Sequence, residues 1–365
     1  MFSLTKVLVV PAVEKRWTIL VLLLFLCSGL VTLPNIATVR ATEDSWTTME
    51  PMPTAETGLG AAVVNGKIYT IGRNVNYEYD PKIDIWIVKK PMLTPRYSFG
   101  IAVVQNKIYV IGGINNNTAT GINEVYDPET DSWETRTSMP TNRSQLDANV
   151  VNGKIYLIGG KTGGQYSTVA LNEVYDTETD TWTTKEPIPY PVTRYASAVV
   201  DSKIYVVGGQ DEFHYPINLN LTQIYDPEVD GWSQGAQLPL EGIWKASAGA
   251  TTGAMATKRI YVLGGEGGFV EPLDQNYVYD SQSDIWTLGT PMSTPRINQA
   301  VAVVNDLIYA IGGTVGWNES TATVEQYTPS GYIPEFPSWI ILPLSVIATL
   351  AAIICRYRLR RKVKS

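Results

Sequence analysis

Cysteine and histidine are almost absent from this chain. The two cysteines, Cys27 and Cys355, both lie in apolar terminal segments. The region between them therefore has no internal disulfide, no zinc–thiolate site and no cysteine nucleophile. The one histidine, His214, stands in a polar-aromatic stretch. With no second imidazole and no thiol beside it, a Ser-His-Asp or Cys-His catalytic site is not supported. Charged residues are sparse at 17%. No long stretch shows an apolar period of 3.6, which argues against a helical domain.

The charge is unevenly placed. The ten C-terminal residues carry +6 and the first 38 carry +2, so a net charge of -7 leaves -15 on the chain between them. An acidic central region does not bind nucleic acid by bulk electrostatics.

What the chain does have is one phrase written six times. Lys107-Ile108-Tyr109-Val110-Ile111-Gly112-Gly113 recurs from Lys154, Lys203, Arg259 and Leu307, and a degenerate first copy ends in Gly72-Arg73. A Tyr, usually Tyr-Asp, follows each copy: Tyr79, Tyr126, Tyr175, Tyr225, Tyr279 and Tyr327. Seven residues beyond each of the first five comes a Trp: Trp86, Trp133, Trp182, Trp232 and Trp286. A small-apolar run such as Gly100-Ile101-Ala102-Val103-Val104 precedes each phrase. Self-similarity at this period means stacked supersecondary units.

Each unit offers four strands. Strand a is the small-apolar run, b the Ile-Tyr phrase, c the Tyr-Asp segment and d the Trp segment. Asn152-Gly153 between a and b is a hairpin signal. Asp127-Pro128-Glu129-Thr130-Asp131 between c and d is a turn in which Asp caps the backbone amides, so the recurring Asp pairs are turn chemistry and not calcium ligands. Four-stranded antiparallel units repeated radially make a β-propeller. The sixth unit lacks a Trp after Tyr327, while an orphan Asp44-Ser45-Trp46-Thr47-Thr48 precedes the first. That orphan is predicted to pair beside Tyr327 and close the ring, removing the open edges.

The pattern Gly-Gly…Tyr-Asp…Trp resembles the kelch repeat over roughly residues 43 to 328. The fold class is therefore all-β: a six-bladed kelch β-propeller, its last blade closed by the N-terminal strand, with terminal transmembrane segments. Kelch propellers include scaffolds, adhesion modules and enzymes, so the resemblance leaves function open. A copper centre like that of kelch-type galactose oxidases lacks its ligands here, and no cofactor is expected.

The expected domains are a signal peptide or signal anchor at 1–41, the propeller at 42–330, a linker at 331–338, a transmembrane helix at 339–355 and a basic cytoplasmic tail at 356–365. Lys6, Lys15 and Arg16 precede an uncharged apolar run, followed by Val39 and Ala41 at suitable cleavage positions. Near the other end, Pro334-Glu335-Phe336 leads into an apolar run and then Arg356, Arg358, Arg360, Arg361, Lys362 and Lys364. That run is just long enough to span a bilayer, and the basic cluster places the C-terminus in the cytoplasm. The arrangement resembles the PEF-type sorting tails of prokaryotic surface proteins associated with archaeosortases. It implies an address on the extracellular face of the cell membrane, with a single C-terminal anchor.

In antiparallel order the b-to-c loops and d-to-a links share one face, here the loop face, while the short a-to-b and c-to-d turns occupy the turn face. Both chain ends attach at the turn face. Arg96, Arg143, Arg194, Lys245 and Arg296 all stand near the start of a strand a, with Glu56 in the corresponding place of the first unit. Convergence at the central channel would give a cationic ring suited to carboxylates, as arginines at similar places do in kelch domains that capture acidic peptides. The bland alternative pairs each Arg with a nearby Glu or a strand carbonyl. Asn116, Asn142, Asn220 and Asn318 begin Asn-X-Ser/Thr sequons at the loop face or its rim.

The expected function is an extracellular, membrane-tethered module that binds a protein or glycan through its loop face. It is expected to be a monomer, with no nucleic-acid partner and no enzymatic activity. Two alternatives stand beside it: a carbohydrate-active propeller similar to the kelch sialic acid mutarotases, drawing on Arg96, Arg143 and Glu56 or Glu212, and a purely structural cell-surface component.

Overall fold

The computed structural model describes residues 43–334, apart from 165–166, 213–216, 269–270 and 317–318. The segments expected to be a signal, a membrane helix and a basic tail lie outside the described residues, as do His214 and Asn318. No helix among the described residues is long and apolar enough to cross a membrane.

Six four-stranded antiparallel sheets form the six blades. In blade 2 the order runs from strand a (Gly100–Val104) through b (Lys107–Ile111) and c (Asn123–Asp127) to d (Ser132–Arg136). The six a strands neighbour one another in a closed circle and wall the central channel. Small residues on them permit that approach: a Cβ on Gly100 would sit 2.9 Å from the Cβ of Ala148 on the next blade.

The ring closes as the orphan segment requires. Ser45–Met49 pairs antiparallel with Val324–Thr328, placing Trp46 opposite Tyr327. Tyr327 and Trp46 have ring centroids 5.1 Å apart, matching Tyr126–Trp133 at 5.0 Å and Tyr175–Trp182 at 5.0 Å. The b-strand Tyr of one blade then meets the c-strand Tyr of the next, as in Tyr109–Tyr175 at 6.0 Å. Buried aromatic area thus passes from blade to blade around the ring.

The two Asp of each c-to-d turn divide the work. Asp127 accepts the Glu129 amide at 3.0 Å, an Asx turn. Asp131 takes the left-handed conformation (φ 48°) and accepts the Tyr126 hydroxyl at 2.6 Å. Asp131 also accepts the Lys90 amide of the preceding blade at 3.0 Å. The same double use recurs at Asp84, Asp180, Asp230 and Asp284, and Asp44 closes the circle by accepting from Tyr327 and from the Thr290 amide.

The a-to-b connection of blade 5 departs from the two-residue pattern and is clamped on three sides. Asp306 of blade 6 accepts from the amides of Thr252, Met255 and Ala256 at 2.6, 2.7 and 3.0 Å. Lys258 pairs with Asp201 of blade 4 at 2.5 Å. The Ile333 amide donates to the Met255 carbonyl at 2.7 Å, and the Gly331 amide to Glu43 at 3.0 Å, so both ends of the described chain are held at the turn face.

Candidate binding site at the channel mouth

At the loop face, six equivalent residues immediately before the a strands form a closed ring of backbone hydrogen bonds. Ser98 donates to Gly58, Gln145 to Ser98, Arg194 to Gln145, Lys245 to Arg194, Asn298 to Lys245 and Gly58 to Asn298, at 2.8 to 3.3 Å. All six lie at φ between 52° and 65°. Gly and Asn tolerate that conformation, whereas Arg and Lys adopt it at a cost. The backbone of the mouth is six-fold, and its side chains are not: the two cations stand side by side, on blades 4 and 5.

Trp244 lies between those cations. Lys245 Nζ is 3.8 Å and the Arg194 guanidinium 5.0 Å from its ring centroid. Two carboxylates from the b-to-c loops complete the sector. Lys245 pairs with Glu266 at 2.8 Å, and Glu212 pairs with Lys161 at 2.9 Å and Arg194 at 3.8 Å. In these ion pairs three cations meet two carboxylates. The side chains of Arg194 and Lys245 remain 26% and 19% exposed, and both line the mouth cavity.

Arg96, Arg143 and Arg296 are elsewhere, which corrects the expectation of a five-membered cationic ring. Their side chains are fully buried inside blades 2, 3 and 6. Arg96 donates through Nη1 to Glu124 at 2.7 Å, through Nε to the Gly112 carbonyl at 3.0 Å and through Nη2 to the Val110 carbonyl at 2.7 Å. Arg143 repeats this with Glu173, Gly159 and Leu157, and Arg296 with Glu325 and Gly312. Burial pushes all three guanidinium groups down, and the paired glutamates counter it. Each Arg therefore satisfies carbonyls where the Gly-Gly bend leaves the ladder, which is a structural task.

The spacings explain the difference. Arg96, Arg143 and Arg296 each stand eleven residues before the first residue of strand b, whereas Arg194 stands nine before it. That two-residue offset moves Arg194 from the buried position, filled in blade 4 by Val192, to the mouth. Lys245 occupies the same mouth position, and the long a-to-b connection of blade 5 disguises it. Glu56 fills the buried Arg position in blade 1. Burial raises its carboxyl and the nearby Arg73 partly offsets this; Arg73 itself lies 4.5 Å from the centroid of Tyr97.

Below the mouth, the residues that line the channel include several not singled out from sequence. Asp147 accepts from Ser197 Oγ at 3.0 Å, and Asn149 Nδ2 donates to Ser197 Oγ at 3.0 Å. Burial pushes the Asp147 carboxyl up to about 6, only partly countered by Ser197. The polar break Asp147-Ala148-Asn149 in an otherwise apolar strand a was the available signal. Among the described residues no group of three or more His, Cys, Asp or Glu is placed to hold a metal ion.

Of the sequons, Asn116 is exposed at the tip of the blade 2 hairpin and Asn142 is exposed on the next d-to-a link. Thr222, which completes the Asn220 sequon, is buried in strand c.

Blade count, closure and mouth define a rigid six-bladed propeller displaying a variable ring of side chains. A model of the KLHDC2/KLHL20/DRC7 Kelch-repeats domain matches residues 98–313, and one of the Kelch motif matches residues 295–343. The chain belongs to the kelch-repeat family. It is 33% identical over 122 residues to Kelch-like protein 26 of Danio rerio, covering 33% of this chain and 19% of that protein. It is 35% identical over 101 residues to Kelch-like protein 23 of Homo sapiens, covering 27% and 17%. The chain thus spans less than a fifth of the length of these curated relatives. The solved structure of YjhT superposes with a TM-score of 0.68 at 16% identity, covering 76% of this chain and 95% of that one, a likeness of fold.

Proposed function

We propose that the protein is a cell-surface interaction module: a kelch propeller tethered to the outer face of a membrane, capturing a protein partner at the blade 4–blade 5 sector of its loop face. A kelch propeller is suited to protein–protein interaction. The observation that carries the reading is the mouth ring, where six equivalent backbone positions hold Arg194 and Lys245 together, flanking Trp244. Trp and Arg in a partly desolvated pocket are the residue types that dominate interface energies. The partly exposed cations Arg194 and Lys245 favour an acidic segment of the partner. Glycans on Asn116 and Asn142 would stand over blades 2 and 3 and leave this sector open.

The terminal segments of the sequence support the tether, and the attachment of both described ends at the turn face supports a loop face turned away from it. Of the residues named for a mutarotase-like enzyme, Arg96 and Arg143 are consumed in the core, which weakens that alternative.

The test is site-specific photocrosslinking on intact cells, with a photoreactive residue replacing Trp244 or, as a control, Asn106 on the turn face. A protein adduct from position 244 alone, lost in the Arg194→Ala, Lys245→Ala double variant, supports the reading. Equal adducts from both positions, or none from position 244, overturn it.

A further inference from the structure

The central channel has a charge order of its own. Two cavities of about 100 and 160 Å³ adjoin through a common set of lining residues, Leu59, Phe99, Asp147, Ser247 and Gln299. Arg194 and Lys245 line the outer cavity, and Asp147 is the one carboxylate lining the inner one. Phe99, Ile101 and Val301 add apolar side chains to the lining of the inner cavity.

The polar wall is incompletely satisfied. Asp147 receives Ser197 Oγ, and no basic side chain lines the inner cavity beside it. Gln299 is 2% exposed, and its Nε2 donates to the Leu263 carbonyl at 2.6 Å. Its Oε1 has no partner among the described residues. Asp147, a carboxylate on the channel wall with no ion-pair partner among the described residues, calls for a ligand that donates N–H.

We propose that the channel binds a small zwitterion of the α-amino-acid type, its carboxylate toward Arg194 and Lys245 and its ammonium toward Asp147. Charge order selects this class. A simple anion meets Asp147 further in, and a simple cation meets Arg194 and Lys245 first. A ligand carrying both charges a few bonds apart satisfies each end, and its side chain lies against Phe99, Ile101 and Val301. This site goes beyond the capture of a protein at the rim, and its depth separates it from Trp244.

The test is calorimetric titration of the full chain in detergent with each protein amino acid at up to about 10 mM, with acetate and methylammonium as single-charge probes. The expected result is saturable binding of at least one apolar amino acid, absent for both single-charge probes, and weakened at least about tenfold by Asp147→Asn. Ser197→Ala, which removes a donor to Asp147, supplies a second variant that also alters affinity. Binding by acetate or methylammonium alone, unchanged affinity in both variants, or no amino acid bound at the top concentration each overturns the proposal. Asp147→Asn is expected to leave the rim crosslink in place while weakening amino-acid binding, so the two readings fail separately.

Discussion

Arg96 Nη1 donates to Glu124 Oε2 at 2.7 Å, with the Arg side chain sealed from solvent and that of Glu124 2% exposed. The same relationship joins Arg143 to Glu173 and Arg296 to Glu325. Where a blade lacks the Arg it also lacks the Glu: Val192 stands with Gln223, and Ile243 with Tyr277. Removing one member leaves an uncompensated buried charge, whereas removing both does not. Arg96→Val alone is therefore expected to destabilise by about 3–5 kcal/mol, and Arg96→Val with Glu124→Gln, which copies blade 4, to recover most of that loss. Urea unfolding of the four proteins of this cycle measures it.

That covariation was present in the sequence, which shows where reading it succeeds. Gly-Gly, Tyr-Asp and Trp recur because every blade needs the same bend, the same turn and the same packing, so the blades and the orphan strand were legible. The mouth was not, because its ring is defined by backbone conformation shared by Gly58, Ser98, Gln145, Arg194, Lys245 and Asn298, six residues with no common chemistry. The cations were grouped by type, and a two-residue offset separated those in the core from those at the mouth. Asp147 was not legible because the polar break around it does not by itself say that the strand walls a channel and not a core.

Closure is tested at Asp44. Its carboxylate accepts the Tyr327 hydroxyl and the Thr290 amide, as Asp84 does for Tyr79 and the Glu50 amide. Asp44→Ala and Asp84→Ala are each expected to cost about 2–3 kcal/mol. Equal losses show that the closing strand is held as firmly as an internal one. A much smaller loss at Asp44 means that this seam opens before the rest, and amide exchange at Trp46 and Tyr327 then runs faster than at Trp86 and Tyr79.

Asp306 holds the long connection of blade 5. Burial raises its carboxyl, but the amides of Thr252, Ala256 and Met255 outweigh that and hold it below its ordinary range. The stability it contributes is present above the ordinary carboxylate pKa of 3.8 and is lost as pH falls through the lower folded value. Asp306→Ala is expected to destabilise by about 2–3 kcal/mol at neutral pH and to expose residues 251–258 to proteolysis. Because Met255 receives the Ile333 amide, cleavage there is expected to accompany faster exchange at Ile333.

Asp147 predicts the opposite pH behaviour. Burial on the channel wall moves its carboxyl from 3.8 up to about 6, so the folded state holds the proton more tightly than the unfolded chain. Its contribution is most favourable below 3.8, declines as pH rises toward about 6 and is constant above that. Asp147→Asn removes the charge and keeps an acceptor for Ser197. The variant is expected to be more stable than the parent by about 1–3 kcal/mol near pH 8 and equal to it near pH 3. Thermal unfolding of both proteins across that range measures the crossover. A parent more stable than Asp147→Asn at high pH would mean that the carboxylate is already paired with a cation in the free protein. An amino acid that binds in the channel should supply that missing cation, and the gap between parent and variant should then close as ligand is added.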